Sequence, residues 1–206
     1  MQLFYNPRKI NMTKATSSRR PLLAVIGNAG TLPRQVTETA KKLGCLAVDA
    51  GFRLVTGGLD GVMAAVSEGA HESAHYQEGM VLGIIPSYAA SQANPWVDIV
   101  IPTGMQMGRN ILVVASADVV IAIGGGSGTL SEIALAWQLG KPIIGLSDIA
   151  GWGEQLSGQV LDERHIQAII SAKTPEAAIQ SALKLLEQPR KEPGNIGSGW
   201  IRRANT

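Results

Sequence analysis

Ile123-Gly124-Gly125-Gly126-Ser127-Gly128-Thr129-Leu130-Ser131-Glu132 decides how this chain is read. Before it, Asp118-Val119-Val120-Ile121-Ala122-Ile123 is an apolar, β-branched run without polar alternation, the pattern of a parallel strand covered on both faces. After it, Leu130, Ile133, Ala134, Trp137 and Leu139 recur near a 3.6-residue period, and Gly140 terminates the helix they predict. Glycines placed between a strand and a helix let the backbone turn tightly and approach a ligand. The unpaired N–H groups and positive dipole end of the new helix attract anions. The stretch therefore predicts a phosphate cradle, with a purely structural turn as the bland alternative. No Gly-Lys-Ser/Thr follows and the strict G-x-G-x-x-G spacing is missing, so neither a Walker A loop nor a dinucleotide fingerprint is present and the nucleotide class stays open.

Two further segments repeat the arrangement. Leu22 to Ile26 leads into Gly27-Asn28-Ala29-Gly30-Thr31, and Arg53 to Thr56 leads into Gly57-Gly58-Leu59-Asp60-Gly61-Val62-Met63. If the strands are parallel, all three loops lie at carboxyl ends and converge on the crevice where open α/β sheets bind ligands.

The remaining elements alternate in the same way. Helices are expected near 35–49, 61–73 and 110–116, with strands at 81–85, 98–101, 142–146 and a short one at 165–170. The last helix starts with Thr174 as N-cap, Pro175 at its first position and Glu176 behind it, and runs to about Leu186. This order predicts an α/β fold: a doubly wound, mostly parallel, Rossmann-like sheet with helices on both faces. With 206 residues, 45% of them hydrophobic, one domain is expected over 21–187.

Charge divides the chain differently from its total of +2. Residues 1–20 carry five basic and no acidic side chains, 188–206 carry four basic and one acidic, and the segment between them has a net charge of −6. The basic excess thus belongs to the tails, and no nucleic-acid partner is expected, because that would call for a basic face on the folded body. Residues 1–20 are read as a flexible tail or as preceding a true start at Met12, since they lack the amphipathic pattern of a transit peptide. No stretch is apolar enough to span a membrane, and the lone Cys45, inside a helix, points to neither a disulfide nor a cysteine metal site. A soluble, cytoplasmic protein is expected.

Arg109, then Ser116-Ala117-Asp118, then Gly125-Gly126-x-Gly128-Thr129-x-x-Glu132 resembles the signature of the LOG-like superfamily, and the segment from Thr56 to Met63 resembles its second glycine motif. The enzymes of that superfamily are cytokinin-activating phosphoribohydrolases, once misnamed lysine decarboxylases. They carry Pro-Gly-Gly at the third loop and Met-His-x-Arg-Lys around the arginine, where this chain has Gly124-Gly125-Gly126 and Gln106-Met107-Gly108-Arg109-Asn110. Those departures are more similar to the branch containing molybdenum cofactor carrier proteins.

The resemblance implies a phosphorylated heterocycle as ligand, with the molybdenum cofactor first and a nucleoside 5′-monophosphate, hydrolysed at its glycosidic bond, as the alternative. A nucleotide-sensing module without turnover is a third possibility. The ligand would be held by Gly27, Asn28, Gly30, Thr31, Gly57, Gly58, Asp60, Gly61, Arg109, Asn110, Gly124, Gly125, Gly126, Ser127, Gly128, Thr129 and Glu132. In the hydrolase alternative Arg109 and Glu132 are catalytic. The arginine would pair with phosphate through its planar fork and the carboxylate would act beside an oxocarbenium-like carbon. Thr129-Leu130-Ser131-Glu132 is also a capping box, so Glu132 has a purely structural reading as well. The resemblance further implies a homodimer or homotetramer, with molybdoenzymes as possible partners, and the helix carrying Ala134 and Trp137 is a candidate interface.

Other motifs carry less. His71-Glu72-Ser73-Ala74-His75 matches H-E-x-x-H but falls at a helix end before a strand, and it is read as coincidence, with no protein-ligated metal expected. Asp118, at the amino end of its strand, is read as structural. Asp60 is read as a turn former or a ribose or metal contact. Trp96 and Trp152 are candidates for stacking on a heterocycle or for packing at an interface.

Overall fold

A computed structural model describes residues 19–163 and 167–187. Seven strands form one sheet: β1 (Leu22–Gly27), β2 (Arg53–Thr56), β3 (Val81–Ile85), β4 (Ile99–Pro102), β5 (Val119–Ile123), β6 (Ile143–Leu146) and β7 (Ile170–Ala172). All are parallel, in the order β4-β3-β2-β1-β5-β6-β7. The order reverses between β1 and β5, and this switch point opens the crevice at the carboxyl edge.

The helices are α1 (Arg34–Asp49), α2 (Val62–His71), α3 (Asn110–Ser116), α4 (Ser127–Gln138), the single turn α5 (Trp152–Gln155) and α6 (Pro175–Glu187). Strand alternation sorts the core into two layers. Leu23, Val25, Leu54 and Val81 face α1, α2 and α6, whereas Ala24, Ile26, Val55 and Ile84 face α3 and α4. β5 is buried along its whole length, as its unbroken apolar run requires.

Most expected elements fall within two residues of their observed bounds. Thr174 caps α6 as its sequence predicts, its Oγ1 accepting the N–H of Ala177 at 3.3 Å. The last strand differs: it occupies Ile170–Ala172, where Ile144 pairs with Ile170, and not 165–170. Residues 164–166, including His165, lie outside the described residues, as do those of both tails except Arg19 and Arg20. Trp137, on the helix named as a candidate interface, turns inward. It is 5% exposed, packed in the α3–α4 layer, and its Nε1 donates to Asp162 at 2.9 Å.

Among the described residues no helix is long and apolar enough to cross a membrane. His71 and His75 of the H-E-x-x-H match take different partners. His71 ends α2, stacks on Tyr76 and lies 3.0 Å from the carbonyl of Trp96, while His75 faces Asp49. Trp96 accordingly packs edge-on against His71. Asp118 sits at the foot of β5, where it accepts two hydrogen bonds from Arg19 and one from the backbone of Leu22, a structural role at the end of the sheet away from the crevice.

Candidate functional site

The three glycine loops meet around Asn28. Its backbone oxygen accepts the N–H of Val62 at the start of α2 (2.8 Å), and its Oδ1 accepts the N–H of Gly125 at 2.6 Å. Asp60 adds a third tie, its Oδ1 accepting the N–H of Gly30 at 3.0 Å. Asn28 and Asp60 thus join the β1, β2 and β5 loops into one concave surface. Gly27 lets the loops close in, since a Cβ there would come within 2.6 Å of the Ile123 carbonyl.

Gly125 illustrates the local requirement. Its φ is +101° and a Cβ would overlap Thr129 at 2.4 Å, so the turn into α4 admits no side chain there. Gly126 is the residue before α4, and the space beside its Cα is open. It is exposed together with Ser127, so the first-turn N–H groups of α4, which have no intrahelical acceptor, border the crevice. Thr31 lies on the far side of Asn28. It borders a depression of about 440 Å³ between the β1–α1 loop and Asp148-Ile149-Ala150.

The β6–α5 loop, which the sequence reading brought to the site only through Trp152 as a stacking candidate, contributes backbone contacts instead. Trp152 donates its backbone N–H to the Gly125 oxygen at 3.0 Å and Gly153 donates to Gly124 at 2.8 Å, so the loop buttresses the cradle from outside. The available signal was a fourth strand followed by a glycine and a short helix, Ile143–Leu146 running into Gly151-Trp152. Trp152 itself is partly buried against the α3–α4 layer.

Arg109, Asn110, Gly57 and Glu132 form a second cluster below the cradle. Arg109 ends a 3-10 turn (Gln106–Arg109) leading into α3 and is 7% exposed. Its guanidinium lies against Gly57, where a Cβ would meet Nη2 at 2.5 Å. Its Nη1 donates to Asn110 and stands 3.9 Å from a Glu132 oxygen, while its Nε is buried without a hydrogen-bond partner. Glu132, also 7% exposed, is pushed up to about 7 by burial, with Arg109 opposing the rise. Burial likewise draws Arg109 below the usual guanidinium range. A carboxyl group poised near neutrality beside a buried cation is chemically equipped to exchange a proton.

The capping-box reading of Glu132 is corrected here. The residue before α4 is Gly126, so Thr129 lies inside the first turn and not at the cap, and Glu132 faces Arg109. Gly58 and Gly61 shape the bend into α2, both with positive φ, and Gly128 receives Met107, whose Cε lies 3.6 Å from the Cβ position. The structure therefore brings together two groups of the expected residues, the cradle around Asn28 and the Arg109–Glu132 pair, joined through the Gly57–Gly61 loop.

A parallel sheet with a glycine cradle at its switch point and a buried Arg–Glu pair beneath defines a Rossmann-like domain of the LOG type. The chain belongs to the SLOG cluster4 family, whose profile matches residues 20–179. It is 39% identical over 124 residues to an uncharacterized protein of Archaeoglobus fulgidus, covering 60% of this chain and 78% of that one. Among solved structures it is similar to the molybdenum cofactor binding protein of Rippkaea orientalis, with 33% identity, TM-score 0.71 and coverage of 82% of this chain and 99% of that one. It is also similar to the molybdenum cofactor carrier protein of Chlamydomonas reinhardtii, with 27% identity, TM-score 0.69 and coverage of 82% and 100%.

Proposed function

We propose that this chain binds a phosphorylated heterocycle in the crevice between β1 and β5, and that its cargo is the molybdenum cofactor, carried without chemistry upon it. The observation that carries this reading is the convergence on Asn28 of three glycine loops at the switch point, with the open N-terminus of α4 beside them. That surface offers backbone donors to a phosphate. The depression beside Thr31, about 440 Å³, is of the size that accommodates a heterocycle. The likeness to two molybdenum cofactor binding proteins supports this cargo over others. Carriage would take place in the cytoplasm, with molybdoenzymes as recipients.

The buried Arg109–Glu132 pair favours a second reading, hydrolysis of a nucleoside 5′-monophosphate to ribose 5-phosphate and free base. In that reaction water attacks the anomeric carbon as the glycosidic bond breaks, and Glu132 stabilises the oxocarbenium-like state. One experiment separates the two. The purified protein is given AMP or a cytokinin ribotide, and separately the molybdenum cofactor under anaerobic conditions. The carrier reading expects the cofactor to bind and to oxidise more slowly, with little ribose 5-phosphate released. Steady release that disappears in Glu132→Gln makes hydrolysis the function.

A further inference from the structure

The depression of about 440 Å³ beside Thr31 has a chemically uneven lining. Leu32, Pro33, Val36 and Ile149 give it apolar walls, while Thr31 and Gln35 bring groups that can donate or accept. Asp148 is its one ionisable lining residue. Asn28 lines the depression as well and closes the cradle through Gly125, so the two spaces adjoin. A carboxylate beside an anion cradle repels the phosphate that the cradle attracts. It serves a ligand whose other end brings hydrogen-bond donors.

The backbone on both sides of Asp148 is held in place. Ser147 before it donates its N–H to Ala172 of β7 at 2.9 Å, and Ile149 after it is buried in the core layer shared with α1. The bonds from Trp152 to Gly125 and from Gly153 to Gly124 then tie the same loop to the cradle. Asp148 therefore stands at a fixed separation from the N-terminus of α4. That is the pre-organisation a site needs to read one ligand at both of its ends.

We infer that Asp148 selects the ring of the ligand, its carboxylate accepting two hydrogen bonds from a 2-amino-4-oxo edge, the edge that pterins and guanine share; this rests on the proposed binding of a phosphorylated heterocycle in the depression. An ionised carboxylate is acceptor-only, with two oxygens side by side, and so matches two adjacent donors. The 2-amino-4-oxo edge supplies them as a ring N–H next to an amino group. Adenine instead puts an unprotonated ring nitrogen next to its amino group. One Asp148 oxygen would then face a lone pair and give up its hydrogen bond to water with nothing in return. The apolar walls accept either flat ring, which leaves the discrimination to the carboxylate.

The test titrates the full chain by calorimetry with three phosphates: GMP and neopterin monophosphate, which carry the 2-amino-4-oxo edge, and AMP, which does not. Wild type is expected to bind the first two about tenfold more tightly than AMP, the scale of one charge-assisted hydrogen bond. Asp148→Asn is expected to erase that preference, with AMP bound no more weakly than before, because the amide keeps the shape but turns one acceptor into a donor. Asp148 is exposed, so the variant is expected to keep the wild-type melting temperature. Equal or tighter binding of AMP by wild type overturns the inference. So does a variant that keeps the preference or loses affinity equally for all three; in each of these outcomes the binding of a phosphorylated heterocycle stands. Absence of binding by all three overturns the proposed function, and the inference with it.

Discussion

Asn28 and Gly125, 97 residues apart in sequence, share the hydrogen bond that closes the cradle, Oδ1 of one accepting the N–H of the other at 2.6 Å. Gly125 is buried while Asn28 is exposed, so the bond lies at the rim of the crevice. Asn28→Ala is expected to lower stability by about 0.5–1.5 kcal/mol, the net worth of a hydrogen bond, and to weaken phosphate-ligand binding as the loops part. Urea denaturation and calorimetry on the same variant measure both effects. Unchanged stability with unchanged affinity removes Asn28 from the site.

Gly126→Val tests the cradle without disturbing the fold. Nothing lies near its Cβ position and its φ of −96° suits any residue, so the melting temperature is expected to stay close to that of wild type. The β-branched side chain then stands between ligand and backbone, and calorimetry is expected to show no binding. Full affinity in the folded variant places the phosphate elsewhere.

The Glu132 carboxyl group makes stability depend on pH in a predictable sense. Its pKa is raised from 4.5 to about 7, so the folded chain holds a proton that the unfolded chain has released. The stabilisation is complete below pH 4.5 and is lost as pH rises through about 7. The amount is at most about 3 kcal/mol on the scale of 1.4 kcal/mol per pKa unit. Urea midpoints measured across this range are expected to fall for wild type, and to do so less for Glu132→Gln. Parallel curves assign the dependence to other groups.

Arg109→Ala removes the cation that opposes protonation of Glu132, and the carboxyl group is expected to titrate above about 7 in the variant, as read by NMR. Phosphorylated ligands are expected to lose about 2 kcal/mol of affinity while their dephosphorylated forms lose little, the scale of a charge-assisted hydrogen bond. Equal losses for both forms mark the arginine as structural.

Asp118→Ala serves as the opposite control. It releases Arg19 and the Leu22 N–H at the far end of β5, so about 2 kcal/mol of stability is expected to disappear with ligand affinity unchanged. A large affinity loss in the folded protein contradicts its structural role.

What the linear chain determined here are the features set by neighbours in sequence. The β-branched run from Val119 to Ile123 has one stable arrangement, a strand buried on both faces, and Gly124 to Gly128 after it can only turn into a helix start. Thr174-Pro175-Glu176 likewise starts α6 by local bonding and backbone geometry alone. The fold class and the convergence of the glycine loops follow from such local signals. Tertiary structure decided what depends on partners distant in sequence. The capping-box pattern gave Glu132 a local acceptor role, but the chain brings Arg109 within 3.9 Å, and a buried carboxyl group answers to the nearest cation. The last strand, expected at 165–170 from its apolar residues, lies at Ile170 to Ala172, where it pairs with β6. Trp137 turned inward and Ile101 outward for one reason, which periodicity cannot carry: a side chain's exposure depends on whether another element covers its face.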